Sequence, residues 1–548
     1  MRRLKPATTK LISGIIMPNQ TRPKKTPIYL NRLPSCNNAC PTGNNIQAWL
    51  KCVQNGHFYE AWETIMRNNP FPAINGRICY HPCENACNRG QIDNAVNIHC
   101  TERFLGDLAL QEKWHIRCTE KPTGKKILVV GAGPAGLSAA YHLRRLGHEV
   151  TIYEAKPFAG GMLHTGIPAF RLPRDILEGE IQRIQKMGVK IELNHPVTDL
   201  LIEKENGKFD AVFLGVGAEK DKITAIPMTD NIPVWGAVDW LTAVELKNPP
   251  KLGASIAIYG GGNTALDVAR TAKRLGVKDV KIIYRRDRKN MPAFPVEVQE
   301  TEEEGVAIHF LRTIKEINGT NMTLEIMKIN AEGKPESTNQ FEETSAHMLV
   351  LALGQDPETT FLKTIDQVSL KNDGTIGVDT NFMTGYAGVF AGGDAISSDR
   401  SVTIAVGHGR KAAQQIDAYL RNTSHLKSPK KELAPCDLLH LDHYNEAIKA
   451  ATKAVTQPIL PASSRAQTFA EVIDGVSKEQ FLEESKRCFL CGNCFECDGC
   501  YNICPVKAIS KITTVAAHDG RYKIEKNCIN CGKCFRRCPC GAITMVSP

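Results

Sequence analysis

The spacing of hydrophobic positions divides the chain into three regions. Between Ile46 and Cys118 apolar residues recur every three or four positions, as in IQAWLKCV and YEAWETIM, which predicts helices. From Gly124 to about Leu420 short apolar strands alternate with helical stretches, the order typical of a parallel βαβ fold. The last region, 488–548, is short and compact. We therefore predict an α/β protein with a helical domain before its central domains and a small domain after them.

In the central region an apolar strand at 126–130 runs into a glycine-rich turn and a helix, in KKILVVGAGPAGLSAAYHLRRLGHEVTIYEA. Gly131 permits the tight turn, Gly133 lets the backbone approach a pyrophosphate, and Gly136 lets the helix pack closely on the strand. Glu154 ends the following strand, where a carboxylate accepts the hydroxyls of an adenosine ribose. These features, in this order, predict a dinucleotide site.

A second fingerprint lies in ASIAIYGGGNTALDVARTAKRLGVKDVKIIYRR, where the corresponding positions are Gly260, Gly262 and Ala265. The strand after its helix ends in Arg285 and Arg286 and carries no acid there. Two guanidinium groups bind a 2′-phosphate through charge-assisted hydrogen bonds. We therefore expect this site to bind NADPH in preference to NADH.

Two dinucleotide sites in one chain predict a flavoprotein that is reduced by a nicotinamide. A strand that ends in Gly393 and Asp394, before a helix from about Thr403, fits a second contact with FAD. Asp394 is expected near the ribityl or pyrophosphate region, and the helix is expected to point at the isoalloxazine ring. Because this contact follows the second fingerprint, the NADPH-binding domain is predicted to be inserted in the FAD-binding domain.

The 20 cysteines are concentrated at the two ends of the chain. Eight lie in 36–118, eleven lie in 488–540, one is Cys436, and none lies in 119–435. A disulfide reductase of this build needs a cysteine pair beside its flavin, and this chain has none there. Electrons that reach the flavin must therefore leave by another route, which the cysteine-rich ends supply.

The C-terminal cysteines repeat a C-x2-C-x2-C-x3-C-P spacing twice, the pattern of bacterial two-cluster ferredoxins. In that pattern the fourth cysteine of each run serves the other [4Fe-4S] cluster. Zinc also binds paired CxxC motifs, but the doubled spacing with two Cys-Pro ends favours iron–sulfur clusters. The first predicted cluster has the ligands Cys494, Cys497, Cys500 and Cys538, and the second has Cys528, Cys531, Cys534 and Cys504.

The helical region holds six further candidate ligands, more than one four-iron cluster needs and fewer than two need. Cys52 and Cys118 stand apart from them and are expected to be ordinary thiols. The six candidates are Cys36, Cys40, Cys79, Cys83, Cys87 and Cys100.

The formal net charge of +10 does not predict nucleic-acid binding, because each four-iron cluster with four thiolates carries about −2 and offsets part of it. Nine Lys and Arg residues precede Glu60, the first acidic residue, so we predict a basic arm over 1–35. A solvated tail, a targeting segment and an arm against an acidic partner are its alternative roles. No run approaches 18 apolar residues, so no membrane span is predicted.

These phrases, with GGMLHTGIPAFRLP at 160–173 and YRRDRKNMPAFPVEV at 284–298, resemble the small (β) subunit of bacterial glutamate synthase. The same module occurs in dihydropyrimidine dehydrogenase and in NADPH-linked ferredoxin oxidoreductases. The resemblance runs from about Cys36 to Leu420. It implies a helical iron–sulfur domain, FAD and an inserted NADPH domain, and it adds Gly161 to the cofactor-binding residues.

In that family the N-terminal domain opens with an Arg-Cys-x-x-Cys element before the counterpart of Cys36, and this chain has none there. The segment SKEQFLEESKRCFLCG at 477–492 resembles that opening, although its cysteines could instead belong only to the tail. The family also places Glu or Gln near a ligand position where Glu102 stands, which leaves Cys100 open. We hypothesise one cluster on Cys36, Cys87, Cys488 and Cys491 and another on Cys40, Cys79, Cys83 and Cys100.

These motifs give the predicted domain organisation, in which one helix, YNEAIKAATKAV, falls within the linker. The domains are a basic arm at 1–35, a helical iron–sulfur domain at 36–122, the FAD-binding domain at 123–245 and 349–423, an NAD(P)H-binding domain at 246–348, a linker at 424–485 and a 2[4Fe-4S] ferredoxin-like domain at 486–548.

We predict a cytoplasmic NADPH-dependent oxidoreductase that passes electrons from NADPH through FAD to [4Fe-4S] clusters and on to a redox partner protein or a ferredoxin. Hydride transfer to a flavin needs no protein acid or base, so no catalytic side chain is named. One alternative is a glutamate synthase small subunit that supplies electrons to a large amidotransferase subunit. Another is a redox-sensing iron–sulfur protein without turnover. A large subunit and a second copy of the chain are further expected partners.

Overall fold

The computed structural model of the protein describes residues 25–424, 431–444, 453–512 and 522–547. Most of the predicted basic arm and most of the helix predicted at 444–455 lie outside these residues. Among the described helices, none combines the length and the apolar character that crossing a membrane requires. The chain divides into two compact units, a larger one from the described residues of 33–436 and 445–490 and a smaller one from those of 1–32, 437–444 and 491–548.

The larger unit begins with a helical domain. The apolar faces of its helices converge on Trp49, Trp62 and Ile65, which are fully buried, so the three- and four-residue spacing does produce a core. Pro72 occupies the first turn of its helix, where a missing N–H leaves no bond unmade. The main helices are Ile46–Gln54, Phe58–Met66, Pro72–Ile78 and Ile98–Gln111, and the shorter ones are Ser35–Ala39, Pro82–Asn85 and Asn88–Gln91.

The first five-stranded sheet of the larger unit is parallel throughout. Its central strand, Lys126–Val130, is almost continuously apolar and buried, as expected of a strand covered on both faces. The first glycine turn follows this strand at the carboxyl edge, where the strand order reverses and ligands bind in such sheets. The order is Val389–Ala391, Ala211–Leu214, Lys126–Val130, Glu149–Tyr153 and Lys190–Glu192, and the principal helices are Pro134–Arg145, Arg174–Lys186 and Val402–Leu420.

A second parallel five-stranded sheet lies between two strands of the first along the chain. The chain leaves the first sheet after Ala211–Leu214 and returns at Val389–Ala391, which confirms the inserted arrangement. The second sheet has the order Ala307–Phe310, Asp279–Tyr284, Ser255–Tyr259, Met348–Leu351 and Val234–Gly236, with helices Ala237–Glu245, Asn263–Arg274 and Pro295–Glu303. An antiparallel sheet of Arg312–Asn318, Asn321–Ile329 and Pro335–Ser345 follows.

The segment from 453 to 490, largely within the predicted linker, packs closely in the larger unit. Its helix Lys478–Lys486 starts with a capping box between Ser477 and Gln480. Phe481 from this helix is fully buried, and its ring lies 4.2 Å from that of Phe104 in the helical domain. These contacts hold the segment against the domain that carries the N-terminal cysteines.

Among its described residues the smaller unit has two short antiparallel strand pairs and two short α-helices, besides the helical turn Leu441–His443. The strand Thr26–Tyr29 pairs antiparallel with Ile543–Val546, so a strand from the N-terminal part of the chain completes this unit. The other pair is Ile509–Lys511 with Tyr522–Ile524, and the helices are Gly499–Ile503 and Lys533–Arg537.

Candidate functional site

The first glycine turn forms one wall of a cavity of about 550 Å³. Gly131 has a φ of +97°, and a Cβ there would lie 2.6 Å from the carbonyl oxygen of Gly215. A Cβ on Gly136 would lie 1.9 Å from the carbonyl oxygen of Gly131. At Gly133, by contrast, a Cβ would meet nothing closer than Gly161, at 3.9 Å. The turn therefore requires glycine twice and leaves open, at its middle position, the space that a pyrophosphate needs before the helix.

Glu154 is held in a fixed orientation at the edge of this cavity. One carboxylate oxygen accepts the N–H of Ala132 at 2.7 Å, and the other accepts the N–H of Lys156 at 2.9 Å. Burial raises the pKa of Glu154, and these two backbone donors oppose the rise. A carboxylate positioned in this way fits the predicted contact with ribose hydroxyls.

The opposite wall of the cavity comes from the second predicted flavin contact. Burial raises the pKa of Asp394 to about 6, with Arg400 opposing the rise, and its Oδ1 is buried without a hydrogen-bond partner in the described chain. A ligand that donates hydroxyl protons would satisfy this oxygen, so the site fits a ribityl chain. The predicted residues that line the cavity are Gly131, Gly133, Glu154, Gly161, Gly393, Asp394 and Thr403, whereas Gly136 packs behind the turn.

The second glycine turn has the same steric requirements as the first. Gly260 has a φ of +148°, and a Cβ there would lie 2.2 Å from the carbonyl oxygen of Ala352. A Cβ on Gly262 would have no heavy atom within 4 Å, and Ala265 is fully buried in the helix that follows. This turn also leaves room for phosphates at a helix N-terminus.

The two arginines follow directly on the strand Asp279–Tyr284, and the Arg286 guanidinium lies beside the Tyr284 hydroxyl. Arg285 is exposed, and Arg286 is half-buried with its Nε lacking a hydrogen-bond partner. Neither forms an ion pair with another described residue, whereas the neighbouring Arg288 pairs with Glu302. Both groups are therefore available to a phosphate.

Asn263 joins the second glycine turn to the helical domain. It begins the helix Asn263–Arg274 and lines the same cavity as the flavin-contact residues. Its amide donates to the hydroxyl of Tyr80 at 2.5 Å, and its Oδ1 accepts the N–H of Phe294 at 2.8 Å. Sequence reasoning missed Tyr80 and Asn263, and the position of Tyr80 directly after the candidate ligand Cys79 was the available indication.

Arg171 joins the two sequence phrases on which the family resemblance rests. Its guanidinium contacts both oxygens of Asp267 at 2.8 Å and a carboxylate oxygen of Glu297 at 2.5 Å. Burial alone would lower the pKa of Arg171, but the two carboxylates outweigh it and raise the pKa. The phrase at 160–173 is thereby linked to the phrase at 284–298, and the two nucleotide-binding domains are held together.

A smaller cavity in the helical domain gathers sulfur ligands and a carboxylate. Cys40, Cys79, Cys83 and Glu102 line it, together with Thr403. Burial raises the pKa values of these thiols, so several thiolates are stable here only with a compensating cation. A [4Fe-4S] cluster supplies that charge and fits the donor set.

Glu102, and not Cys100, lines this cavity among the described residues. Asn69 donates to the Glu102 carboxylate at 2.6 Å and Asn44 does so at 3.3 Å. Burial raises the pKa of Glu102 to about 8, and these donors oppose the rise. Burial, reinforced by the charge of Glu484, raises the pKa of Cys100 to about 12.

Cys79 and Thr403 line both cavities. Their Sγ and Oγ1 atoms lie 3.9 Å apart. One candidate cluster ligand therefore stands at the boundary between the predicted flavin site and the predicted cluster site.

The segments that carry the remaining N-terminal candidates, Cys36 and Cys87, are in contact with each other. Ser35, next to Cys36, donates to the side chain of Asn88 at 3.3 Å, and Asn88 follows Cys87. The segment that carries Cys488 packs here as well, because the Arg89 guanidinium donates to the Arg487 carbonyl at 2.8 Å. Cys491 belongs to the smaller unit.

Several candidate ligands share an unusual turn. The second residue after each has a left-handed backbone although it is not glycine, which costs roughly 1–2 kcal/mol per residue. The turn aims the N–H of that residue at the cysteine sulfur. The pairs are His81 to Cys79 at 3.4 Å, Leu490 to Cys488 at 3.4 Å and Asn530 to Cys528 at 3.5 Å, with φ values of 52°, 52° and 58°.

Eight of the ten cysteines of the smaller unit fall in two sets. Burial raises the pKa of Cys494 to about 12, the backbone N–H of Glu496 opposes the rise, and the charges of the three other thiols of its predicted cluster add to it. A small separate cavity is lined by the other set, so each group contains a fourth cysteine from the opposite run. The first set is Cys494, Cys497, Cys500 and Cys538, and the second is Cys504, Cys528, Cys531 and Cys534.

Family comparisons agree with this division of the chain. Residues 125–409 match the model described as pyridine nucleotide-disulphide oxidoreductase. Residues 31–114 match the model described as dihydropyrimidine dehydrogenase domain II, 4Fe-4S cluster. The first match contains no cysteine, so the flavin domain lacks the thiol pair of a disulfide reductase.

Three similar proteins span most of the chain. The NADP(+)-dependent formate dehydrogenase subunit beta of Moorella thermoacetica is 34% identical, over 83% of this chain and 70% of its own. The NADPH-Fe(3+) oxidoreductase subunit beta of Geobacter sulfurreducens is 31% identical, over 83% and 75%. The glutamate synthase [NADPH] small chain of Escherichia coli is 32% identical, over 71% and 89%.

Proposed function

This chain belongs to the pyridine nucleotide-disulphide oxidoreductase family and is an NADPH-dependent iron–sulfur flavoprotein oxidoreductase, and we propose the residues along which its electrons travel. Electrons pass from NADPH through FAD to [4Fe-4S] clusters. The route enters the iron–sulfur system at the cavity of Cys40, Cys79 and Cys83.

The observation that carries this proposal is the shared position of Cys79. Cys79 lines both the flavin cavity and the cluster cavity, and its sulfur lies 3.9 Å from the hydroxyl of Thr403, which lines both cavities as well. When bound, the flavin supplies the conversion between a two-electron hydride and single electrons, which the clusters carry. A ligand residue that lines both cavities gives the electron a short path from one group to the other.

The other candidate residues bind and orient the two dinucleotides, FAD and NADPH. The first glycine turn and Glu154 hold the adenosine and pyrophosphate parts of FAD, and Asp394 accepts from the ribityl chain. Gly260, Gly262 and Ala265 form the NADPH turn, and the guanidinium groups of Arg285 and Arg286, which form no ion pair within the described chain, bind the 2′-phosphate.

We further propose the ligands of the N-terminal clusters. Glu102 is a better fourth ligand than Cys100 for the cavity cluster, because it lines the cavity and Cys100 does not. Cys488 belongs to a second cluster with Cys36 and Cys87, because it has the turn also found at the candidate ligands Cys79 and Cys528 and because its segment packs beside Arg89. Cys491 is the expected fourth ligand on its CxxC spacing alone.

The proteins compared above are named as subunits or chains of larger enzymes, so a partner protein is consistent with this function. We propose that a redox partner or a ferredoxin takes the electrons from the clusters. We place the protein in the cytoplasm, since cysteines that ligate iron–sulfur clusters must stay reduced and the cytoplasm keeps thiols reduced.

Anaerobic stopped-flow mixing with NADPH tests the route. In the unaltered protein, flavin bleaching should be followed by bleaching of the cluster absorption. In Cys79→Ala the flavin should still be reduced, because both glycine turns, Glu154 and Asp394 are retained, while cluster reduction should slow by at least tenfold. Cys52→Ser is the matched control, because this thiol lies on helix Ile46–Gln54 and lines neither cavity. Unchanged cluster reduction in Cys79→Ala would contradict the route.

A further inference from the structure

The strand Thr26–Tyr29 belongs structurally to the ferredoxin-like tail. It pairs antiparallel with Ile543–Val546, with Thr26 opposite Val546 and Tyr29 opposite Ile543. Two backbone bonds continue the attachment, from the Leu30 N–H to the Ala542 carbonyl at 2.9 Å and from the Arg32 N–H to the Gly492 carbonyl at 3.0 Å. The attachment covers seven consecutive residues and fixes the register of the strand.

This strand reaches both cysteine groups of the tail. Pro27 lines the cavity of Cys504, Cys528, Cys531 and Cys534. The hydroxyl oxygen of Tyr29 lies 3.2 Å from the Sγ of Cys500, in the other group. The strand therefore places an apolar ring at one group and a hydroxyl at the other.

The Tyr29 ring is held in place by its neighbours. It packs in the apolar core of the smaller unit and stacks on Tyr522, with ring centroids 6.4 Å apart and planes 24° apart. The Tyr522 hydroxyl bonds to Asp498 and so does not compete for the sulfur. The hydroxyl of Tyr29 is thus directed at Cys500 by packing on one side and strand pairing on the other.

Chemistry decides the direction of the hydrogen bond. A cysteine that ligates iron is a thiolate and has no proton to donate, whereas a phenol is a donor. The Tyr29 O–H therefore donates to the Cys500 sulfur when the cluster is present. Hydrogen bonds to cluster sulfurs stabilise the reduced and more negative form, and they are one of the factors that set the reduction potential.

The two cysteine groups of the tail differ in the hydrogen-bond donors that their sulfurs receive. Among the described residues, the second group receives N–H donors from the backbone, as from Ala508 to Cys504 at 3.2 Å and from Asn530 to Cys528 at 3.5 Å, and no side-chain hydroxyl. Only the first group has the additional phenolic donor within the described chain.

We propose that the N-terminal strand supplies Tyr29 as a hydrogen-bond donor to Cys500 and thereby raises the reduction potential of the cluster held by Cys494, Cys497, Cys500 and Cys538 above that of its neighbour. This inference rests on the proposed function only in requiring two [4Fe-4S] clusters in the tail. The consequence is a fixed order of reduction of the two tail clusters, in which the cluster beside Tyr29 accepts an electron first.

The variant Tyr29→Phe tests the proposal, because it removes the hydroxyl and keeps the stacked ring. The measurement is an anaerobic redox titration of the full-length protein, followed by electron paramagnetic resonance. We expect the reduction equilibrium of one tail cluster to fall by up to about tenfold, which is about 59 mV for one electron, while the other cluster is unchanged.

Tyr522→Phe is the matched control, since it removes a hydroxyl from the same stacked pair that bonds a carboxylate instead of a sulfur. It should leave the first cluster's potential within the error of the titration. Equal potentials for the Tyr29→Phe and unaltered proteins would overturn the inference, and so would an equal shift in the control. Iron analysis of the unaltered protein distinguishes failure of this inference from failure of the proposed function. Absence of the tail clusters would refute the proposed function and not the hydrogen bond alone.

Discussion

Replacing Arg285 and Arg286 by alanine should change the coenzyme preference of the enzyme without changing its chemistry. Arg286 is half-buried, and its Nε has no partner in the described chain, so its guanidinium is available for a charge-assisted bond. Such a bond contributes roughly 1.5–3 kcal/mol, or about 13- to 160-fold in affinity. Arg285 is exposed, and screening by water should limit its share to a few-fold. The NADPH/NADH ratio of kcat/KM should therefore fall by about 20-fold to several hundredfold.

The assay follows the oxidation of each coenzyme with an artificial one-electron acceptor, which makes the result independent of the natural partner. The loss should appear in kcat/KM for NADPH, with NADH little affected, because NADH has no 2′-phosphate to bind. Arg288→Ala is the matched control: this arginine lies in the same loop but pairs with Glu302. If the double variant keeps the original NADPH/NADH ratio, or if the control loses it equally, the assignment of the 2′-phosphate site is wrong.

Three further predictions concern the metal content, the shared cluster and the flavin contact. Anaerobically purified protein should contain about 12 to 16 iron atoms per chain, and about 8 would show that the N-terminal cysteines ligate no cluster. Changing Cys488 and Cys491 to serine should remove about four of them, with both tail clusters spectroscopically intact; a full iron count would refute the shared cluster. Burial raises the pKa of Asp394 to about 6, so this group makes the folded, flavin-free protein lose stability as the pH rises from about 4 to about 6. Asp394→Asn should therefore raise the melting temperature of the flavin-depleted protein at pH 7 and weaken FAD binding, and an unchanged melting temperature would contradict this.

The nucleotide-binding turns could be predicted from the sequence because their requirement is local and steric. Gly131 must adopt a positive φ, and no side chain fits between Gly136 and the carbonyl of Gly131. Such requirements select glycine at fixed spacing within a few residues, and this spacing is visible in the sequence. The inserted order of the two domains follows for the same reason, since the motifs occur in that order along the chain.

The contacts that join distant parts of the chain could not be predicted in this way. The strand Thr26–Tyr29 has four residues and no clear alternation, and its partner begins more than 500 residues later. The basic composition of its surroundings suggested an arm, although the pairing with Ile543–Val546 makes it part of a sheet. Similarly, nothing at Tyr80 itself indicates that its hydroxyl meets Asn263, because the two lie in different domains along the chain.

The choice among cysteines shows what backbone geometry adds to spacing. A non-glycine residue in the left-handed region is unfavourable, and it persists where the surrounding structure requires it. His81, Leu490 and Asn530 all adopt it two positions after a cysteine, with the N–H directed at that sulfur. An N–H donor stabilises a thiolate that ligates iron. The turn therefore supports the proposal that Cys488 is a cluster ligand, because Cys488 shares it with Cys79 and with Cys528 of a ferredoxin run, although it lies outside the ferredoxin repeat.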